Sequence, residues 1–151
     1  MSGELVQILE GNTFVVSDDR GDIEASRTDP TGLFSFDTRF LSRWVLTVNG
    51  QRLTALSTDD VQYFQTRFFL VPGSGTVYVD AKLSIIRERE VADGFREKLR
   101  ALNHENSPVD LVIRVEAELS IEAMDTMVAA TNPATTSPMR PVGRRCRIKF
   151  G

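Results

Sequence analysis

The stretches Thr76–Ile85 (TVYVDAKLSI) and Val109–Leu119 (VDLVIRVEAEL) decide the fold class, because both alternate apolar and polar residues at every second position. In the first, Val77, Val79, Ala81, Leu83 and Ile85 share one face, while Thr76, Tyr78, Asp80, Lys82 and Ser84 share the other. In the second, Val109, Leu111, Ile113, Val115, Ala117 and Leu119 oppose Asp110, Arg114, Glu116 and Glu118. Period two is the signature of a strand with one face on a core and one in water.

Shorter strands are expected around these two. Trp44–Val48 alternates and runs into Asn49-Gly50, the dipeptide best suited to a two-residue hairpin because both positions tolerate positive φ. Arg52–Leu56 is the expected return strand. Val61–Val71 carries Tyr63, Phe64, Phe68 and Phe69 and stops at Pro72-Gly73-Ser74-Gly75, a turn sequence. Asp93-Gly94 punctuates Ala81–Leu102, so a hairpin of Leu83–Glu90 with Phe95–Asn103 is favoured over a charged helix. Many strands joined by short turns predict an all-β fold, an antiparallel β-sandwich.

Length and composition agree with one globular domain. The chain has 151 residues, 41% hydrophobic and 26% charged, and no apolar run approaches the roughly 18 residues needed to span a bilayer. The N-terminus has no basic segment ahead of an apolar stretch, as a secretory signal would. The single cysteine, Cys146, excludes an intramolecular disulfide and a cysteine-based zinc cage. A cytoplasmic protein without membrane partner is therefore expected. The net charge of −3 gives no electrostatic reason to expect nucleic acid.

Charge is unevenly placed. Residues 126–151 contain no acid but hold Arg140, Arg144, Arg145, Arg147 and Lys149, whereas the first 125 residues carry 13 basic and 21 acidic side chains. Three of the six prolines lie between Pro133 and Pro141. A boundary near residue 120 follows: a β domain over 1–120, and a Pro-rich basic tail over 121–151, poorly ordered on composition. At its start, Ile121–Ala130 contains helix formers.

Candidate chemistry is sparse. His104, the only histidine, sits in the polar turn Asn103–Pro108, where a solvated side chain is expected. The acids fall mainly on solvent faces of strands or in turns, and no catalytic residue, metal site or cofactor is expected. Asp18, Arg20, Gly21 and Asp22 read as a structural turn, in which Asp side chains accept backbone hydrogen bonds and Gly takes positive φ. Two other readings of that turn, calcium binding through Asp18, Asp19 and Asp22 and adhesion through Arg20-Gly21-Asp22, lack supporting context. The stretch Gly32–Trp44 is too aromatic for an idle loop. Within it, Asp37 is expected to cap a short helical turn over residues 37–42, and Asp37, Thr38 and Arg39 form either a pinned structural corner or a sugar-facing edge.

Several motifs recur here in a fixed order. VSDDRGDI (Val16–Ile23) and GLFSFDTRFLSRWVLTVNGQRL (Gly32–Leu53) come first. They are followed by an Arg/Glu-rich strand (Ile86–Val91), the start GFREKL (Gly94–Leu99) and Leu-Asn-His before a Pro-containing turn (Leu102–Pro108). Over roughly residues 10–120 this resembles the N-terminal domain of bacterial glycogen-debranching, amylo-α-1,6-glucosidase-type proteins. The resemblance implies a β-sandwich ahead of a helical (α/α)₆ catalytic domain that is missing here. Asp37, Thr38 and Arg39 would then face that domain or the edge of its α-glucan cleft. It fails beyond residue 120, where a truncated or frame-shifted product is the expectation.

Together these readings predict a non-catalytic accessory domain with an uncovered apolar patch drawn from Tyr63, Phe64, Phe69 and the Phe34–Phe40 corner. The alternative is a stand-alone carbohydrate-binding or interaction module.

Overall fold

A computed structural model describes residues 4–73, 82–123 and 145–149. Every element among the described residues is a strand: β1 (Val6–Glu10), β2 (Thr13–Ser17), β3 (Ile23–Glu24), β4 (Gly32–Ser35), β5 (Thr38–Val48), β6 (Gln51–Gln62), β7 (Gln65–Pro72), β8 (Leu83–Val91), β9 (Phe95–Asn103), β10 (Asp110–Ala123) and β11 (Arg145–Lys149). All pairings are antiparallel, and they run in the order β1-β2-β4-β5-β6-β7-β8-β9, with β10 on the second edge of β5 and β11 beyond it.

The Asn49-Gly50 hairpin forms as expected. Asn49 and Gly50 take φ of 52° and 78°, and Val48 faces Gln51 across the turn. The β5–β6 ladder covers only two residue pairs, Thr47↔Arg52 and Val48↔Gln51, after which β6 pairs with β7 instead. The sheet thereby folds over, and β6–β9 make a second layer facing the first. Its inner face shares one core cluster with the first layer: Leu46 and Val48 of β5 and Leu111 and Ile113 of β10 meet Phe68, Leu70 and Ile85. A second cluster joins Ile8, Val15, Ile23 and Leu41 to Val91. Each such side chain withdrawn from water contributes about 1.5–3 kcal/mol, which is what holds the layers together.

The alternation of β10 places Leu111 and Ile113 in the core as read from the sequence, while Val112 is exposed. Leu119, expected on the core face, is exposed instead, because register shifts at Glu118/Leu119 and Leu119/Glu122 break the period there. In Thr76–Ile85 only the end is described: Leu83 and Ile85 enter the core from β8, and residues 76–81 lie outside the described residues. The Asp93-Gly94 hairpin joins β8 to β9 through Val91↔Phe95.

The short helical turn expected over residues 37–42 is not formed. Residues from Thr38 onward belong to β5, which is paired on one side with β4 (Phe34↔Arg39) and on the other with β10 (Glu122↔Arg39). Phe36 and Asp37 make the β4–β5 connection at φ of 47° and 62°, so Asp37 is a hairpin residue and not a helix cap. Backbone groups already bonded to two neighbouring strands cannot enter a helical turn. Helix-forming residues at 121–123 are likewise drawn into β10. Beyond β10, the described part of the tail is β11, whose Ile148 and Arg147 pair with Leu111 and Val112. Residues 124–144, 150 and 151 lie outside the described residues.

Candidate functional site

Two neighbourhoods hold the residues singled out by the sequence. The first is the Asp18–Asp22 turn after β2. The Asp18 carboxylate accepts the Arg20 and Asp22 backbone N–H groups at 2.9 and 2.8 Å, and the Gly21 N–H donates to the Asp18 carbonyl at 3.0 Å. Burial pushes the Asp18 carboxyl up, against the lowering pull of these N–H bonds. Gly21 takes φ of 79°, and a Cβ there would stand 2.9 Å from the Phe68 ring. Only glycine allows the turn to lie this close to the second layer.

The turn is pressed onto a charged cluster that the sequence reading did not identify. Asp22 points inward, where its Oδ1 accepts from Arg87 Nη1 at 2.6 Å and from the Leu46 N–H at 3.1 Å. Arg87 Nη1 also donates to the Arg20 carbonyl at 2.9 Å, and Arg89 Nη2 donates to the Gly21 carbonyl. Glu97 completes the arrangement: its Oε1 accepts from Arg87 Nε at 2.8 Å and from Trp44 Nε1 at 2.9 Å, while its Oε2 accepts from Arg89 Nη2 at 2.6 Å. The Arg89 guanidinium lies over the Phe68 and Phe95 rings, 5.4 and 5.2 Å from their centroids. Arg87 and Arg89 are among the largest fully buried side chains.

Two cations and two anions therefore neutralise one another between the layers, which is how charges are tolerated in a core. Burial raises the Glu97 carboxyl, but Arg89, Arg87 and the Trp44 N–H outweigh it and hold the group below the ordinary range. Glu97 departs from the expectation that the acids fall mainly on solvent faces of strands or in turns, and Asp22 lies in its turn but with its carboxylate buried. The signal for the cluster was present in β8, where Leu83, Ile85, Arg87, Arg89 and Val91 occupy the buried positions of a strict alternation. It was present in β9 too, where Glu97 shares its face with Phe95 and Leu99.

The Asp22 carboxylate is engaged by Arg87, while the Asp18 carboxylate is held by Arg20 and the turn's own N–H groups. Among the described residues no group of three or more His, Cys, Asp or Glu side chains is placed to hold a metal ion.

The second neighbourhood is the Asp37-Thr38-Arg39 corner. Asp37 is exposed at the hairpin tip, Thr38 is half-buried, and Arg39 is buried with its guanidinium 5.4 Å from the Phe34 ring centroid. Phe34 in turn stacks on Phe14 at 4.8 Å. Of the rings expected to be uncovered, Phe34 is buried and Phe64 and Phe69 are half-buried, whereas Phe36, Phe40 and Tyr63 are exposed. His104 is exposed, its Nε2 2.8 Å from Ser84 Oγ. A groove between β1 and β6 is lined by Glu4, Gln7, Leu56, Thr58 and Asp60 among others, with no aromatic ring.

The model of one protein family, described as the N-terminal domain of (some) glycogen debranching enzymes, matches residues 8–126. The chain belongs to that family. The matched span begins in β1 and ends just past β10, so the debranching-enzyme N-terminal domain contains both layers and the whole charged cluster, and stops short of β11. No curated protein matches the chain. Among the described residues no helix is long and apolar enough to cross a membrane.

Proposed function

We propose that this debranching-enzyme N-terminal domain is a non-catalytic accessory β-sandwich that supports a helical (α/α)₆ catalytic domain of an amylo-α-1,6-glucosidase-type protein in the cytoplasm. The observation that carries this reading is the state of its two deeply buried carboxylates. Glycoside hydrolysis uses two carboxyl groups across the scissile bond, one of them kept protonated by a raised pKa. Asp22 and Glu97 are instead tied to Arg87 and Arg89, and Glu97 is held in its charged form. Asp18, whose carboxyl is pushed up, has its oxygens engaged by Arg20 and the Asp22 N–H. These acids build the domain.

In this reading the α-glucan is met by the catalytic domain, and the Asp37-Thr38-Arg39 corner serves the boundary between the two. The corner's exposed tip and buried base suit that role: Arg39 fixes the hairpin and Asp37 is presented outward.

The test is to incubate the purified 151-residue chain with an α-1,6-branched glucan and, separately, to titrate it calorimetrically with maltooligosaccharides. Neither glucose release nor heat of binding is expected. Hydrolysis would refute the accessory role, and saturable binding would favour a carbohydrate-binding module.

A further inference from the structure

Four turns of the debranching-enzyme N-terminal domain meet at one end of the sandwich. The Leu9 N–H donates to the Tyr63 carbonyl at 2.9 Å, joining β1 to the β6–β7 turn. The Phe36 N–H donates to the Asn12 carbonyl at 3.2 Å, joining the β4–β5 turn to the β1–β2 turn. The Val91 N–H donates to the Phe64 carbonyl at 2.9 Å and brings in the start of the β8–β9 turn. Backbone bonds between turns make this end a fixed platform, and a fixed surface costs less entropy to bind than a loose one.

The platform carries large apolar side chains in water: Phe36 is 76% exposed, Tyr63 64% and Leu9 51%. Phe36 is the most telling of them. The two-residue hairpin at Asn49-Gly50 uses the residues that tolerate positive φ, whereas the hairpin at Phe36-Asp37 puts a bulky aromatic at φ of 47°. Folding gains little from that choice, because the ring is not buried. Strain at an exposed aromatic points to a contact made outside the domain.

The position of the platform says which contact. β10 ends with Ala123 opposite Thr38, next to the Phe36-Asp37 tip, and the family match stops at residue 126. An N-terminal domain of this family thus hands its chain to the rest of the enzyme beside Phe36. The rim is acidic, with Glu10 at the end of β1 and Asp37 and Asp93 in the turns.

We infer that the end carrying Leu9, Phe36 and Tyr63 is the docking face for the remainder of a glycogen debranching enzyme, which meets it with an apolar patch bordered by Lys or Arg side chains. This rests on the accessory reading above and adds the face and the chemistry of its partner.

The test mixes the full 151-residue chain with the remainder of a family debranching enzyme expressed without its N-terminal domain, and measures affinity by calorimetry. Four proteins are compared: wild type, Phe36→Asn, Leu9→Ser/Tyr63→Ser, and Leu102→Ser, an exposed apolar site on β9 at the opposite end. Wild type and Leu102→Ser are expected to bind alike, and the other two to lose about tenfold or more in affinity. Phe36→Asn should do so without a lower melting temperature, since Asn accepts positive φ better than Phe. A complex whose affinity ignores Phe36, Leu9 and Tyr63 overturns the face and leaves the accessory role standing. Absence of any complex with wild type overturns both. Maltooligosaccharide binding that is lost in Phe36→Asn overturns the docking face in favour of a glucan platform.

Discussion

Arg89 and Glu97 sit directly opposite each other across the β8–β9 hairpin, and their side chains meet at 2.6 Å with almost no contact with water. The pair is not isolated: Arg87, Trp44 and the Gly21 carbonyl also bond to it, so one hairpin is fastened to both the first layer and the Asp18–Asp22 turn. Cross-strand pairing sets the register, and the ion cluster fixes which turn covers it.

Replacement of Glu97 by Gln is expected to destabilise the domain by about 3–5 kcal/mol, because two guanidinium groups remain buried with one anion between them. Urea unfolding followed by Trp44 fluorescence measures this directly. A loss below 1 kcal/mol would mean that the cluster is solvated in solution.

Acid should act through the same residue. Glu97 is held below its ordinary value of 4.5, so its contribution is complete above that pH and is lost as the pH falls toward the lower, folded-state value. Asp18 works in the opposite sense: its raised carboxyl favours the folded state most below its ordinary value of 3.8 and opposes it as the pH rises. Unfolding free energies measured from pH 6 to pH 3 should therefore decline in the wild type, and the decline should be shallower in Glu97→Gln.

Gly21→Ala is expected to cost about 1–3 kcal/mol, the range for a non-glycine residue forced into left-handed backbone, with the Phe68 ring obliged to shift as well. Thermal unfolding would show this. Gly11→Ala is the comparison, since Gly11 has a similar φ of 59° but no neighbour within 4 Å of the added carbon. The difference between the two isolates the contact with Phe68.

The β4–β5 hairpin offers a gain. Exchanging Phe36-Asp37 for Asn-Gly should raise stability by about 1 kcal/mol, by relieving the positive-φ cost now carried by an aromatic and an aspartate. A higher melting temperature is the expected reading. A lower one would show that the exposed ring packs on the domain itself.

How far the sequence could be read depended on whether side-chain period and turn chemistry were local. Asn49-Gly50, Asp93-Gly94 and the alternation of Val109–Ile113 are local signals, and each specified its strand or hairpin. Phe36-Asp37 misleads because Phe36 is not a favoured positive-φ residue and Asp37 before Thr38 imitates a helix cap. What decides that corner is pairing with β10, whose partner residues lie far along the chain. The resemblance to debranching-enzyme N-terminal domains rested on motifs whose order survives such misreading, and the family match covers the same region. The charged cluster was overlooked for another reason. Arg87, Arg89 and Glu97 occupy core positions by period, but charge overrides period when a strand is read alone, and the partners that make burial tolerable come from β2–β5 and β9.

The long ladder between β5 and β10 has a consequence for how the protein is made. From Thr38 to Val48 one edge of β5 is served by β4, β3 and β6 in turn, all close in sequence, while the other edge is covered by β10. On the ribosome that second edge stays bare until residues 110–123 have emerged, and an open strand edge is a template for pairing with another nascent chain. Translation speed across the intervening β6–β9 meander thus sets how long each newborn molecule is exposed to its neighbours.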